Sequence, residues 1–411
     1  MAISNYEAAL EINDENTVVL GNLGVALQEA GRLAEAIKVY QKVIVTKPDD
    51  SKTYNNLGTA LRDSSDFEGA LTSYMKAISI DPIFEEAHLN LGLAYREVGQ
   101  LENSRDSLKT AVKLNDMFVE AHYQLGNTYT RLRQPDSALK YYETALERRP
   151  DYVDVYNAVG RLLLGLGRLD DAKTNFHKIL DLDPKDEKFG ARLLLAHIGE
   201  GLAPEHTPIS YMQHYYRQNI DRWDRLSKKY NGHRMVEEAI RSLFKPKSEL
   251  QILDLGCGTG NMGKFLRAYA LSLVGIDISE EMIQKAAAKG IYDELATEDL
   301  LSYLSTASKR YNLIVCAAVL IHFGNLRKAL EGLSTCLEEE AKAIFTLFDY
   351  PGPENYAVNS EGWFSHNANY VKTVAETLSL RVLSTNREVH EYKTNGEEIY
   401  ANTFIVSAEG E

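Results

Sequence analysis

The chain has 411 residues, 44% hydrophobic and 25% charged, with a formal net charge of -14. This length implies two to three domains with real cores, and the composition is that of a globular protein. The longest apolar run, Leu313 to Ile321, is too short to span a bilayer, and the acidic balance disfavours a nucleic-acid substrate, which needs a cationic footprint.

Charge does not separate the two halves: 23 basic against 31 acidic residues stand through Pro204, and 22 against 28 after it. Cys257, Cys316 and Cys336 are odd in number and unrelated in spacing, so neither a disulfide framework nor a metal site is expected; reduced thiols near a sheet are. The first residues, with Glu7 and Glu11, lack a basic stretch followed by an apolar one, and the expected location is cytoplasmic, without a membrane partner.

In chain order, the first signal is a repeat. At a period of 34 a glycine recurs at Gly24, Gly58, Gly92, Gly126 and Gly160 without insertion or deletion. In phase with it stand the small residues Ala36, Ala70, Ser104, Ala138 and Ala172. A large side chain follows at Tyr40, Tyr74, Leu108, Tyr142 and Phe176, and a breaker position reads Pro48, Pro82, Asp116, Pro150 and Pro184. Five repeats follow, Thr17 to Asp50, Ser51 to Phe84, Glu85 to Phe118, Val119 to Tyr152 and Val153 to Asp186, each a helical hairpin that stacks on its neighbours. Tyr6 to Glu11 aligns with the second helix of a preceding repeat whose first helix is missing; either this is a solvated cap or the array is truncated, and truncation is the preferred reading. Glu187 to His197 is expected to be a closing helix.

The pattern resembles tetratricopeptide repeats. The resemblance implies an all-α superhelix whose first helices line a concave groove. Asn22, Asn56, Asn90 and Gln124, each two residues before a repeat glycine, would face that groove. A ladder of amides, each a donor and an acceptor, suits the main chain of a protein or peptide partner; solvation of an exposed helix face is the competing account.

Gly199 to Pro208 carries two glycines and two prolines among polar residues and marks the linker. Ile209 to Tyr230 and His233 to Phe244 are predicted helices, the first dense in rings: Tyr211, Tyr215, Tyr216, Trp223 and Tyr230. Next, Gln251 to Leu255 is an apolar run containing Asp254 and leading into Gly256-Cys257-Gly258-Thr259-Gly260, a buried parallel strand ending in a tight turn that opens a helix. Gly258, Gly260 and Gly263 also satisfy a dinucleotide spacing, but a carboxylate before the first glycine repels a pyrophosphate and attracts an ammonium. Leu271 to Ile276 is a second strand ending on Asp277, placed for a ribose diol; Ser279 then caps a helix that includes Met282. Strands near Asp293 to Thr297, over Tyr311 to Cys316 and over Ala343 to Phe348 follow, and Leu380 to Tyr392 and Glu397 to Ser407 form an antiparallel pair.

This succession resembles the class I S-adenosylmethionine-dependent methyltransferases, and the whole chain resembles bacterial fusions of tetratricopeptide repeats to such a domain. The implied architecture is multidomain: repeats over 1–200, a linker over 201–210, a helical lid over 211–247, and over 248–411 an α/β Rossmann-like domain with a mostly parallel seven-stranded sheet. The implied cofactor is S-adenosyl-L-methionine, released as S-adenosyl-L-homocysteine. By resemblance Asp254 and the Gly256, Cys257, Gly258 and Gly260 backbone hold its methionine part, with Ala317 and Ala318 alongside; Asp277 holds the ribose, and Ile278, Met282, Glu298, Asp299 and Leu300 surround the adenine.

His322, just past the fourth strand, is the candidate general base near neutral pH, with a structural histidine as the alternative. Tyr215, Tyr216, Trp223, Tyr350, Trp363, His366 and Tyr370 are candidates to line the acceptor site. No Asn-Pro-Pro-Tyr turn is present, which disfavours amide and adenine acceptors, and the paired-glutamate loop of arginine methyltransferases is not evident. Three readings follow: a methyltransferase acting on a protein or peptide recruited by the repeats, a methyltransferase of small molecules such as sugars or secondary metabolites with repeats for assembly, and a scaffold without turnover.

Overall fold

The computed structural model describes residues 2–220, 223–226, 230–392 and 397–408. The chain forms two compact units divided between Arg168 and Leu169, inside the fifth repeat.

The first unit is a series of helical hairpins: α1 (Ala2–Ile12), α2 (Thr17–Glu29), α3 (Leu33–Thr46), α4 (Ser51–Asp63), α5 (Phe67–Ile80), α6 (Glu85–Glu97), α7 (Leu101–Leu114), α8 (Val119–Arg131), α9 (Pro135–Arg148) and α10 (Val153–Gly165). The repeat glycine exists because a ring fills its place: a Cβ on Gly24 would sit 2.4 Å from Tyr40, on Gly58 2.7 Å from Tyr74 and on Gly126 2.5 Å from Tyr142. Ala36, Ala70, Ser104 and Ala138 are fully buried and let the two helices of a hairpin close on that ring. Asp50 and Asp66 cap the helices that follow them. Ile3, Tyr6 and Leu10 of α1 pack on the first repeat, as a second helix should. Successive first helices α2, α4, α6, α8 and α10 touch one another, which puts them on the tighter, inner side of the array.

The second unit opens with α11 (Leu169–Leu182) and α12 (Ala191–His197). The expected closing helix begins at Ala191 instead of Glu187, because Gly190 is left-handed at φ 64° and the Asp186 carboxylate accepts from the Ala191 and Arg192 amides at 2.7 and 2.9 Å. Leu193 of α12 is buried against Tyr211, Val358 and Phe364, so this helix belongs to the α/β core of its unit. The predicted helix over Ile209 to Tyr230 is instead two, α13 (Ile209–Asn219) and α14 (Trp223–Leu226); α15 (Gly232–Leu243) follows.

The sheet contains β1 (Leu250–Leu255), β2 (Ala270–Asp277), β3 (Glu294–Thr297), β4 (Tyr311–Cys316), β5 (Leu337–Asp349), β6 (Tyr356–Val358), β7 (Phe364–His366), β8 (Leu380–Tyr392) and β9 (Glu398–Ala408). Five parallel strands run in the order β3-β2-β1-β4-β5, with β9 antiparallel on β5 and β8 antiparallel on β9. These are the seven expected strands. The remaining two form a short hairpin, β6 with β7, whose β7 pairs with the end of β5, so the sheet has nine. Helices α16 (Asn261–Leu266) and α15 cover one face through Val236, Ile240, Met262 and Leu266. The other face is covered by α18 (Leu300–Thr306), α19 (Arg327–Cys336) and α20 (Ala368–Glu376); α17 (Glu280–Ala287) follows β2. The order reverses between β1 and β4, and ligands of such sheets bind outside the strand ends at that point. No described helix is long and apolar enough to cross a membrane.

Candidate active site

At the reversal point the loops after β1, β2, β3 and β4 enclose a cavity of about 380 Å³, over which α13 and α14 also lie. Its floor is the glycine turn. Gly256 and Gly258 have φ of 70° and 54°, left-handed conformations that favour glycine. A Cβ on Gly256 would stand 2.0 Å from Val319, whereas one on Gly258 would meet only Trp223 Nε1 at 3.6 Å. The turn is held by Asp277, whose carboxylate accepts from the Gly258 and Ser279 amides, both at 2.9 Å. Burial pushes the Asp277 carboxyl up to about 6, with the backbone donors pulling back.

Most expected cofactor residues meet at this cavity: Gly256, Cys257, Gly258, Asp277, Ile278, Met282, Glu298, Asp299, Leu300, Ala317 and Ala318 all line it. Asp299 also spends one carboxylate oxygen capping α18 through Ser302 N at 3.0 Å. Two expected residues are absent from the lining. Gly260 is the left-handed N-cap of α16, where a Cβ would press on Tyr292 at 3.0 Å. Asp254 lies behind the turn, 2% exposed, and accepts from the Tyr292 hydroxyl at 2.7 Å. Gly263 and Gly275 make room for that ring: a Cβ on either would come within 2.4 and 2.8 Å of it. The weak dinucleotide spacing therefore has a packing cause. Burial raises the Asp254 carboxyl to about 7, Tyr292 lowering it and Asp277 raising it further.

One end of the cavity is walled by rings. Trp363 meets Tyr215 edge-on at 5.2 Å and His322 at 5.0 Å, and Tyr216 meets Trp223 at 5.2 Å. Tyr215, Tyr216, Trp223 and Trp363 thus line the cavity as expected candidates, and Tyr350, His366 and Tyr370 do not. The Tyr350 hydroxyl is bonded to Glu354. His366 is buried with Nε2 on the Phe323 carbonyl at 2.7 Å, and Tyr370 accepts from Leu326 N at 3.1 Å; both secure the loop after β4.

His322 lines the cavity from the short 3-10 turn Leu320–His322, with Nε2 2.7 Å from the Tyr216 hydroxyl and Nδ1 buried without a partner among the described residues. Burial pushes its pKa down to about 3, below the neutral range expected of a general base.

Two groups go beyond the sequence reading, which named Tyr230 only among the rings of the lid. Tyr230, His233 and His390 form a second wall, with the Tyr230 ring 4.4 Å from His390 and 5.1 Å from His233. Burial lowers both imidazoles to about 4. The available signal was His390-Glu391-Tyr392 at the end of a predicted strand, where binding residues collect. The other is Asp224 of α14, which accepts from Thr259 Oγ1 at 2.5 Å and Asn261 Nδ2 at 2.9 Å and lies 3.7 Å from Lys289 Nζ. Together with Arg217 on Glu281 at 2.6 Å, it fastens α13 and α14 over the turn.

In the first unit the amides are partly spoken for. Asn22 is exposed, Asn56 is half-buried, Asn90 Nδ2 donates to Asn55 at 3.0 Å, and Gln124 Oε1 accepts from Arg96 at 2.8 Å. They do not form a uniform ladder.

Residues 210–380 match the family described as methyltransferase domain, and matches to tetratricopeptide repeats cover residues 2–61, 58–99, 92–132, 119–152 and 141–174. The chain therefore joins tetratricopeptide repeats to a class I methyltransferase domain, whose cofactor is S-adenosylmethionine. It is similar to an uncharacterized methyltransferase, YcgJ, of Bacillus subtilis (25% identity over 26% of this chain and 44% of the relative). It is also similar to a ubiquinone biosynthesis O-methyltransferase of Rickettsia bellii (26% identity over 28% of this chain and 48% of the relative). The chain thus spans under half the length of either relative. Among solved structures, magnesium protoporphyrin IX methyltransferase from Synechocystis PCC 6803 with bound SAH matches at 17% identity and a TM-score of 0.38, covering 49% of this chain and 99% of that one. The cavity fits such a cofactor. Its turn leaves no side chain between Gly258 and Trp223, and Asp277 has carboxylate lone pairs beyond the two bonds it accepts.

Proposed function

We propose that this chain is an enzyme that transfers a methyl group from S-adenosylmethionine to an acceptor seated between Tyr216, His322 and Trp363. The observation that carries the reading is the single cavity that joins Asp277 and the glycine turn to this aromatic wall. When bound, the cofactor supplies an electrophilic methyl for in-line displacement. The chain's own residues then align the acceptor and exclude water. Asp277 accepts the ribose hydroxyls, Ile278 and Met282 pack on the adenine, and the backbone of Gly256 and Ala317 borders the methionine part. Asp254 supports the turn from behind, through Tyr292. With its pKa near 3, His322 stays neutral, so it orients the acceptor by a hydrogen bond at Nδ1 while Tyr216 fixes its other nitrogen.

Rings and neutral imidazoles favour a small ring-bearing acceptor with a hydroxyl. A protein or peptide acceptor brought in by the repeats is the second reading, favoured by the half-buried Arg96 of the first helix α6. The test is incubation with methyl-labelled S-adenosylmethionine and a size-fractionated lysate, with Asp277→Ala as the control. Label in the small-molecule fraction supports the first reading and label in macromolecules the second. Equal labelling by wild type and control refutes both, and cofactor affinity unchanged in Asp277→Ala refutes the ribose assignment.

A further inference from the structure

The second wall of the cavity is set by an irregularity in the sheet. Side chains alternate across a strand, so successive residues of β8 should face opposite ways. The pairing of β8 with β9 slips between Val389, opposite Tyr400, and Glu391, opposite Ile399, which leaves His390 as an extra residue. Such a bulge re-aims side chains, and His390, Glu391 and Tyr392 in succession all line the cavity. Asn231 holds the bulge in place: its backbone N–H donates to the His390 carbonyl at 2.8 Å and its Nδ2 to the Val389 carbonyl at 3.0 Å.

Glu391 is half-buried at this wall, and among the described residues its carboxylate has no hydrogen bond and no ion pair. Burial holds its carboxyl above the ordinary range, and Glu361, in the loop between β6 and β7, adds to this. The imidazoles of the same wall supply no counter-charge, because burial lowers His233 and His390 to about 4 and leaves both neutral at pH 7. His390, 2% exposed, has Nδ1 without a partner among the described residues. Its ring meets Tyr230 edge-on at 4.4 Å and Phe348 at 5.1 Å. A half-buried carboxylate within reach of a second one is unfavourable until a cation joins it. Rings around the position favour an organic cation, and no group of three His, Cys, Asp or Glu among the described residues could hold a metal ion.

We propose that Glu391 receives a protonated amine carried by the methyl acceptor, with Tyr230 and Tyr392 as the rings around it, so that the enzyme selects hydroxylated rings bearing a basic side chain. This deepens the methyl-transfer reading and rests on it. The acceptor's hydroxyl stands at Tyr216, His322 and Trp363, and its amine at the second wall, so two separate groups read its two ends. Selection is repulsive as well as attractive, because an acceptor with a carboxylate in place of the amine meets Glu391 as a like charge. The competing occupant is the cofactor's own sulfonium.

The experiment is calorimetric titration of the full chain, loaded with S-adenosylhomocysteine, with three phenols of similar size: tyramine, para-ethylphenol and para-hydroxyphenylpropionate. Tyramine is expected to bind roughly tenfold more tightly than the neutral phenol, and the propionate most weakly. Glu391→Gln should lose roughly tenfold for tyramine and under about twofold for ethylphenol, while Glu391→Asp keeps part of the preference. Affinity for S-adenosylmethionine and for S-adenosylhomocysteine is measured on the same variants and should not change, which shows that they are folded. Loss of S-adenosylmethionine affinity alone in Glu391→Gln assigns the carboxylate to the sulfonium and overturns the proposal. Equal affinity for the three phenols, undetectable binding included, or a tyramine preference that survives in Glu391→Gln, also overturns it. A wild-type chain that binds neither form of the cofactor refutes the methyl-transfer reading instead, so the two failures are distinguishable.

Discussion

Asp254→Asn should make the second unit more stable, and increasingly so as pH rises. The Asp254 carboxyl is 2% exposed and is raised from 3.8 to about 7 by burial, despite the hydrogen bond from Tyr292. The folded chain thus holds this proton more tightly than the unfolded one. Its stabilising contribution is complete below the unfolded pKa and is lost as pH rises through the folded value. At about 1.4 kcal/mol per pKa unit, the loss between pH 5 and pH 8 is roughly 2–3 kcal/mol. Asparagine does not titrate and still accepts from Tyr292, so the variant escapes that loss. The chain has two tryptophans, Trp223 and Trp363, both in the second unit, so urea unfolding followed by tryptophan fluorescence reports on that unit. The depressed histidines act on both proteins and cancel in the difference. The stability difference between variant and wild type should therefore grow by roughly 2–3 kcal/mol from pH 5 to pH 8. A difference constant to within about 0.5 kcal/mol would refute the burial argument.

Three further outcomes follow from the same site. Gly256→Ala should cost the unit about 2–4 kcal/mol in urea unfolding, from a Cβ 2.0 Å from Val319 on left-handed backbone, whereas Gly258→Ala, nearest to Trp223 at 3.6 Å, should cost about 1–2 kcal/mol; the reverse ranking contradicts the packing described. His322, held near 3 by burial, should remain neutral from pH 5 to pH 8 in imidazole NMR spectra, and a midpoint near 6.5 would restore it as a titrating base. Asp224→Ala removes the contacts of α14 with Thr259, Asn261 and Lys289, so stopped-flow release of S-adenosylmethionine should quicken by roughly tenfold, and an unchanged rate means α14 does not retain the cofactor.

The repeats were legible because their signal is local: Gly24, Gly58, Gly92 and Gly126 each face a large side chain of their own hairpin, Gly92 meeting Leu108 as Gly58 meets Tyr74, so one period carries the packing rule. The strands β1 and β2 were legible for a similar reason, since each apolar run ends at a glycine or carboxylate that lines the cavity, Gly256 after β1 and Asp277 at the end of β2. The hairpin of β6 and β7 was not, because strands of three residues are too short to show alternation. The start of α12 hangs on a side chain, Asp186, that accepts from amides five and six residues later.

The site was legible where backbone position decides function and illegible where a distant side chain does. Gly256, Gly258 and Asp277 lie at strand ends, and the order of strands alone puts them at one cavity. Asp254 shares that position, yet Tyr292, 38 residues on, takes its carboxylate because Gly263 and Gly275 open a path for the ring. Gly263, one of the glycines that suggested a phosphate turn, is thus one of the two that seat the ring bonded to Asp254. His322 shows the complementary case. Its place past β4 was readable, but its protonation depends on Tyr216 and Trp363, 106 residues before it and beyond the next strand, which together deprive it of water. The role proposed for it rests on neutrality: an imidazole that takes no second proton at pH 7 can still direct a hydrogen bond, and in a wall of rings that bond would orient the proposed acceptor.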